Sequence, residues 1–386
     1  MLMAMSVAMQ LSHQTWFTLL NNFAIDRVGF SGREIGVLQS VREIPGFLAF
    51  GVVAVLLVFR EQTLALLGLV CLALGTALTG FFPSEYAFYA TTLLMSLGFH
   101  YYETVAQSLA LQWLAKSEAG HGLGRVLAAG SFAALAAFAF IYVTWTLLGF
   151  DFREVYLFVG LITLAIAGFV WVAFPAFSQE VTQRRELVLR RRYWLYYALT
   201  FMAGARRQIF IVFAGFMMVE RFHFSVTAIT SLFLANHLFN MALAPRIGRL
   251  IGRFGERRAL TFEYVGLIGV FTAYAFVSSP WIAAGLYLVD HAFFALAIAM
   301  KTYFQKIADP ADIAPSAGVA FSINHIAAIV LPIVLGMLWL VHPAAVFLIG
   351  AAMALVSLAL ARLVPRDPAP GCETVFQGTP SAKPAE

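Results

Sequence analysis

The sequence predicts an all-α membrane protein of twelve transmembrane helices, and three observations carry that prediction. Only 12% of the 386 residues are Asp, Glu, Lys or Arg, about half the share that a soluble domain carries. Hydrophobic residues make up 61% of the chain and the mean hydropathy is +0.83. The apolar stretches are long and continuous, whereas a transmembrane barrel would alternate apolar and polar residues. A soluble enzyme, a disordered chain and a nucleic-acid-binding protein all require more charge than this. The sequence also has no Gly-x-Ser-x-Gly, no His-Glu-x-x-His and no phosphate-binding Gly-x-x-x-x-Gly-Lys-Ser/Thr. It is therefore read as a non-enzyme without a cofactor, and an ion gradient rather than ATP would drive any transport.

A bilayer core takes about 20 apolar residues per helix, and the spans follow in order. Span 1 (4–25) begins directly at the Met-rich N-terminus, with no small-residue cleavage site, and is expected to be retained. Span 2 (33–58) contains Arg42-Glu43-Ile-Pro45-Gly46, where Pro and Gly break the helix and suggest a kink or gating point. The short Phe59-Arg60-Glu61-Gln62 connection leads to span 3 (63–81). Span 4 (86–113) is long, and a polar turn joins it to the Gly- and Ser-bearing span 5 (122–149). Span 6 (153–174) closes the first half. Spans 7 to 12 are 193–219, 224–246, 259–278, 281–306, 315–341 and 343–363, and the long span 10 again precedes a polar turn and a Gly/Ser-bearing span. The segment 175–192 between the halves holds Arg184, Arg185, Arg190, Arg191 and Arg192. The predicted organisation is a six-helix bundle over 1–174, a basic linker over 175–192 and a second six-helix bundle over 193–363. A Pro-, Gly- and Ser-rich tail over 364–386 is expected to be disordered. Parallel repeats of this kind are a known transporter plan.

Orientation follows from the basic residues, which concentrate on the cytoplasmic side. With both termini inside, only Arg27, Arg33, Arg153 and Arg221 of the 25 Lys and Arg lie in outward loops, and only Arg42, Arg206, Arg207 and Lys301 lie within spans. The rest, which give the chain its net +5, would face the anionic inner leaflet of a bacterial inner membrane. Cys71 and Cys372 fall in a span and in the tail, so no disulfide framework or Cys-based metal site is expected.

The stretch Gly248-Arg-Leu-Ile-Gly252-Arg253-Phe-Gly255-Glu-Arg257-Arg258-Ala-Leu260, between spans 8 and 9, resembles the signature loop of the major facilitator superfamily. That loop reads Gly-x-Leu-Ala-Asp-Arg-x-Gly-Arg-Arg. Gly248, Leu250, Arg253, Gly255, Arg257 and Arg258 match it, and Gly252 stands where the family has Asp. The copy usually found between spans 2 and 3 is reduced to Phe59–Gln62. The resemblance implies two six-helix bundles around a central cavity lined by spans 1, 4, 7 and 10. It also implies alternating access and a gating role for Gly248, Arg253, Gly255, Arg257 and Arg258. The missing Asp removes the usual tie of that gate.

Polar groups are costly in a bilayer and mark function. The midpoints of those four spans hold His13, Gln14 and Thr15; His100, Tyr101, Tyr102, Glu103 and Gln107; Arg206, Arg207 and Gln208; and Asp290 and His291. Arg206 and Arg207 point about 100° apart on a helix. Either can clamp an anion through the guanidinium fork, or can neutralise Glu103 or Asp290 in a structural ion pair. The expected solute is a small anion bound by Arg206 or Arg207 with His13, Gln14, His100, Tyr101, Gln208 and His291. Glu103 and Asp290 are the candidate proton carriers, and Glu103 lies on the same helix face as His100. Arg42 and Glu43 are expected at the gate, and Lys301 is expected to snorkel.

His237 and Met241 lie four residues apart, a weak pattern for Cu(I). It carries the alternative of a copper importer of the same fold. A further alternative is a non-transporting membrane receptor or assembly factor. The expected partners are the solute, protons and the lipid bilayer, with the chain acting as a monomer.

Overall fold

The computed structural model describes residues 1–113, 119–175, 189–309 and 312–377. Its elements are helical throughout and group along the chain into twelve rods among the described residues. The first rod is α1 (Leu2–Phe23) continued by a π-helical turn, Ala24–Val28. The second is α2 (Gly32–Phe47), a 3-10 turn Leu48–Gly51 and the short α3 (Val52–Val55). Then come α4 (Glu61–Thr79), α5 (Glu85–Trp113), α6 (Ala119–Leu147) and α7 (Phe152–Ala173). The seventh rod joins a 3-10 turn Arg191–Tyr193, α8 (Trp194–Ile209), a π-helical turn Phe210–Ala214 and α9 (Gly215–Glu220). After it follow α10 (Val226–Phe254) and α11 (Glu256–Phe276). The tenth rod is α12 (Pro280–Phe294), a 3-10 turn Ala295–Ala297 and α13 (Ile298–Ile307). The last two are α14 (Ile313–Trp339) and α15 (Pro343–Arg362).

Nine of these segments, among the described residues, are long and apolar enough to cross a membrane. The other three are rods 1, 2 and 4. Polar residues dilute α1 and α5, and the kink shortens α2. Pro45 removes one helical hydrogen bond, and α2 ends two residues later at Phe47. Capping boxes set the starts of α2 and α7. Ser31 accepts from a backbone N–H while Glu34 reaches back to the Ser31 N–H, and Asp151 and Glu154 do the same.

The chain forms two compact units, Met1–Arg184 with Val219–Ala235 and Arg185–Met218 with Asn236–Glu386. Within the first, α1 packs on α6, α7 and α4, and α4 packs on α5 and α7. The turn joining α9 to α10 belongs to this unit: Asn22 Nδ2 donates to the Phe224 carbonyl at 2.8 Å. At the α4–α5 crossing, a Cβ at Gly68 would stand 2.9 Å from the Gly98 carbonyl oxygen, and one at Gly98 would strike the Leu72 nitrogen. Small residues let these two backbones touch. Within the second unit, α8 packs on α14 and α15, and α11 packs on α15, α12 and α13.

Two expectations change. The signature stretch is not an extended loop: α10 continues to Phe254, and the turn is the single residue Gly255, with φ of 81°. Only glycine takes that conformation cheaply. The composition of the tail predicts disorder from 364, yet 364–377 folds onto the second unit. Val364, Cys372, Glu373 and Thr374 are buried, and the buried Tyr303 hydroxyl donates to the Glu373 carbonyl at 2.5 Å. Residues 378–386, and 176–188 of the linker with Arg184 and Arg185, lie outside the described residues.

A buried charge cluster as candidate functional site

In the second unit, α8 carries Arg206 into a fully buried position. Its Nη2 lies 3.9 Å from Glu263 Oε1 on α11, with side-chain exposures of 0% and 1%. The guanidinium sits 4.4 Å over the Tyr264 ring, and Nε donates to the Met202 carbonyl at 3.3 Å. Gly204 helps seal the place, since a Cβ there would lie 2.6 Å from the Asn324 carbonyl oxygen on α14. Asp290, on α12, is also fully buried and lies within electrostatic range of both Arg206 and Glu263. Among the described residues, several polar atoms here have no hydrogen-bond partner: both Nη of Arg206, Glu263 Oε2 and both Asp290 carboxyl oxygens. Orphaned buried polar atoms are rare and costly, and they call for a proton, water or ligand.

The neighbouring side chains divide by face. Arg207 is exposed while Gln208 is buried. His291 donates from Nδ1 to the Tyr287 carbonyl at 2.9 Å, and its ring lies 4.4 Å from Tyr287 and 5.6 Å from Phe210. Arg207 lies within electrostatic range of His291. Both rods that hold these residues lose regular α-geometry next to them. The π-turn Phe210–Ala214 begins four residues after Arg206, and the 3-10 turn Ala295–Ala297 begins five residues after Asp290. Such irregularities collect at functional sites and hinges.

In the first unit, His13 stacks on Phe99 with ring centroids 4.2 Å apart, and Gln14 donates to Gln10, one turn earlier, at 3.0 Å. Phe17 reaches Phe233 at 5.9 Å. His100 is buried, Tyr101 sits against Gly51, and Glu103 is exposed. Arg42 and Glu43 form an ion pair at 2.5 Å just before the α2 break, with the guanidinium 5.9 Å from the Phe17 ring. The Ser96 hydroxyl donates to the Arg42 carbonyl.

The span midpoints pointed to Arg206 and Asp290, but not to Glu263. Glu263 lies four residues inside the predicted start of span 9. A count of charges along the whole span, rather than at its centre, would have found it. Two linker arginines also have a specific partner. Arg190 forks onto Asp312 at 3.1–3.3 Å and Arg192 reaches it at 3.1 Å, while the buried Tyr193 hydroxyl donates to it at 3.0 Å. His237 is half-buried and Met241 exposed. No group of three or more His, Cys, Asp or Glu side chains converges as a metal site would require, among the described residues.

The family model of the Major Facilitator Superfamily matches residues 1–332, and the chain belongs to that superfamily. No curated protein sequence matches it. Among solved structures, it is similar to a point mutant of the nucleoside transporter NupG, with a TM-score of 0.77 at 15% identity over 93% of this chain and 98% of that one. It is also similar to a bacterial homologue of the human lysosomal transporter Spinster in an inward-facing, occupied conformation. There the TM-score is 0.71 at 13% identity, over 93% of this chain and 94% of the other. The chain is thus a multi-pass membrane transporter with the major facilitator fold.

Proposed function

We propose that this transporter is proton-coupled and moves a small anionic solute across a bacterial inner membrane by alternating access, with both termini cytoplasmic. The observation that carries the reading is the buried cluster of Arg206, Glu263 and Asp290. Two carboxyls share one guanidinium. With one proton aboard the cluster is neutral; without it the cluster carries a net negative charge, which a sealed apolar site holds only at high cost. Loss of the proton therefore favours states in which the cluster meets water and its uptake favours the sealed state, and that links protonation to rocking of the fold. Asp290, whose two oxygens accept no hydrogen bond among the described residues, is the carrier, and Glu263 is its partner on the guanidinium. Glu103 remains the candidate carrier of the first unit.

Arg206 is fully buried against Glu263, whereas the Arg207 side chain is exposed, and we assign the anion to Arg207, with His291, Gln208, His13, Gln14, His100 and Tyr101 as the further candidate contacts. Gating is assigned to Arg42 and Glu43 beside the α2 break, and to the Gly248–Arg258 corner with Arg253, Gly255 and Arg257. Because a structurally similar protein is a nucleoside transporter, nucleosides and nucleotides belong in the first ligand panel. The test is thermal unfolding of the purified chain against small anions, nucleosides and Cu(I). The expected result is stabilisation by anions that Arg207→Gln abolishes. Stabilisation by neutral solutes alone, or by Cu(I) through His237, would overturn the substrate class.

A further inference from the structure

A pocket of 320 Å³ opens on the second unit where the end of α10, the start of α11 and the 3-10 turn after α12 meet. Phe254, Ala259, Phe262 and Leu296 form its apolar walls, and Arg258 is the one charged lining residue among the described residues. Phe254 and Phe262 are open to the surroundings at 45% and 59%. Arg258 is exposed and makes no ion pair or hydrogen bond among the described residues.

The charges nearby sharpen the picture. Arg257 lies within repulsive range of Arg362 and Arg366, and its buried Nε has no hydrogen-bond partner among the described residues. The adjacent acid, Glu256, is engaged by Lys306 at 2.7 Å. Guanidinium groups therefore gather at this corner, and the adjacent Glu256 carboxylate pairs with Lys306 through one of its two oxygens. Ala259 and Phe262 stand in the first two turns of the apolar segment Glu256–Phe276, Leu296 in the apolar segment Pro280–Ile307, and Phe254 at the end of α10, so apolar walls meet the basic corner at the end of a membrane-spanning segment.

We propose that this pocket binds an anionic phospholipid. Its phosphate accepts from Arg258, and an acyl chain lies along Phe254, Phe262 and Leu296. An apolar slot with a basic rim at the membrane surface suits a molecule with one charged end and one hydrocarbon end. The slot flanks the Gly255 corner, so bound lipid would brace the α10–α11 turn and make its conformation depend on membrane composition. This inference does not depend on which solute is carried.

The test uses the full chain in nanodiscs of phosphatidylcholine with rising phosphatidylglycerol. Lipid retained by the protein is measured by native mass spectrometry, alongside the unfolding temperature. Phosphatidylglycerol should be retained in preference to phosphatidylcholine, and Arg258→Gln should weaken it about fivefold, the effect of one guanidinium at an anionic surface. Phe262→Ala, which keeps every charge, should weaken it as well. Arg60→Gln, at an exposed arginine of the first unit, should leave it unchanged. Equal retention of the two lipids would overturn the proposal. So would an equal loss in Arg60→Gln, which would mean a diffuse surface charge. Full stabilisation by inorganic phosphate in detergent would overturn it too, by marking a soluble-anion site.

Discussion

Arg206 shows how a single charge can be placed by an acid that lies 57 positions away in sequence. The residue sits in a stretch that reads as a cavity-lining midpoint, and its neighbour Arg207 looks equivalent on paper. Burial separates them: Arg206 has no exposed surface and faces Glu263, while Arg207 is open. The helical 100° offset predicts that they differ, but the identity of the buried one depends on α11 and α14, which the local sequence does not reveal. Arg206→Met should strand Glu263 and Asp290 without a cation and cost about 3–5 kcal/mol, seen as a fall in the unfolding temperature. The double variant Arg206→Met/Glu263→Leu should recover much of that loss, because fewer charges are then left uncompensated. Arg207→Gln should leave stability within about 0.5 kcal/mol, as expected of an exposed site.

At the scale of elements, most of the fold was legible. Continuous apolar runs bounded by short polar turns located the twelve rods, and Pro45-Gly46 marked the break in the second rod correctly. The breaks in the seventh and tenth rods were not legible, since neither Phe210–Ala214 nor Ala295–Ala297 contains Pro or Gly. The tail departs from expectation for a related reason. Its composition suggests disorder, but its order comes from the Tyr303–Glu373 contact across 70 positions. Truncation after Arg366 should therefore lower the unfolding temperature, and Cys372 should resist alkylation in the folded full chain. The helix crossings give a sharper check. Gly98→Ala should cost about 1–3 kcal/mol through overpacking against α4. Gly269→Ala, where a Cβ meets nothing within 4 Å, should be neutral or stabilising by up to about 1 kcal/mol.

Acid sensitivity also belongs to an element, the start of α8 held to the start of α14. The Arg190 guanidinium, with the Tyr193 hydroxyl and Arg192, holds the Asp312 carboxyl below the usual carboxylate range. A depressed native pKa means stability that is fully present above the unfolded value of about 4 and lost as pH falls through the native value. Unfolding measured below pH 4 should show this loss in the native chain, and Asp312→Asn should lack that component while being less stable at pH 7.

The whole molecule is a superfamily transporter in which charge is scarce and its placement is informative. Most basic residues read as determinants of topology, and the Arg258 corner adds lipid recognition to that role. The proposed proton site rests on the Arg206–Glu263–Asp290 cluster, where five buried polar atoms have no hydrogen-bond partner among the described residues. If that cluster carries the coupling proton, solute movement and proton movement must share it. The direct measurement is solute-induced pH change in proteoliposomes carrying an internal pH dye, comparing the native chain with Asp290→Asn and Glu263→Gln. Solute addition should shift the internal pH of native vesicles, and Asp290→Asn should abolish that shift while still exchanging labelled solute across the membrane. A full pH shift in vesicles of folded Asp290→Asn and Glu263→Gln proteins would contradict the account.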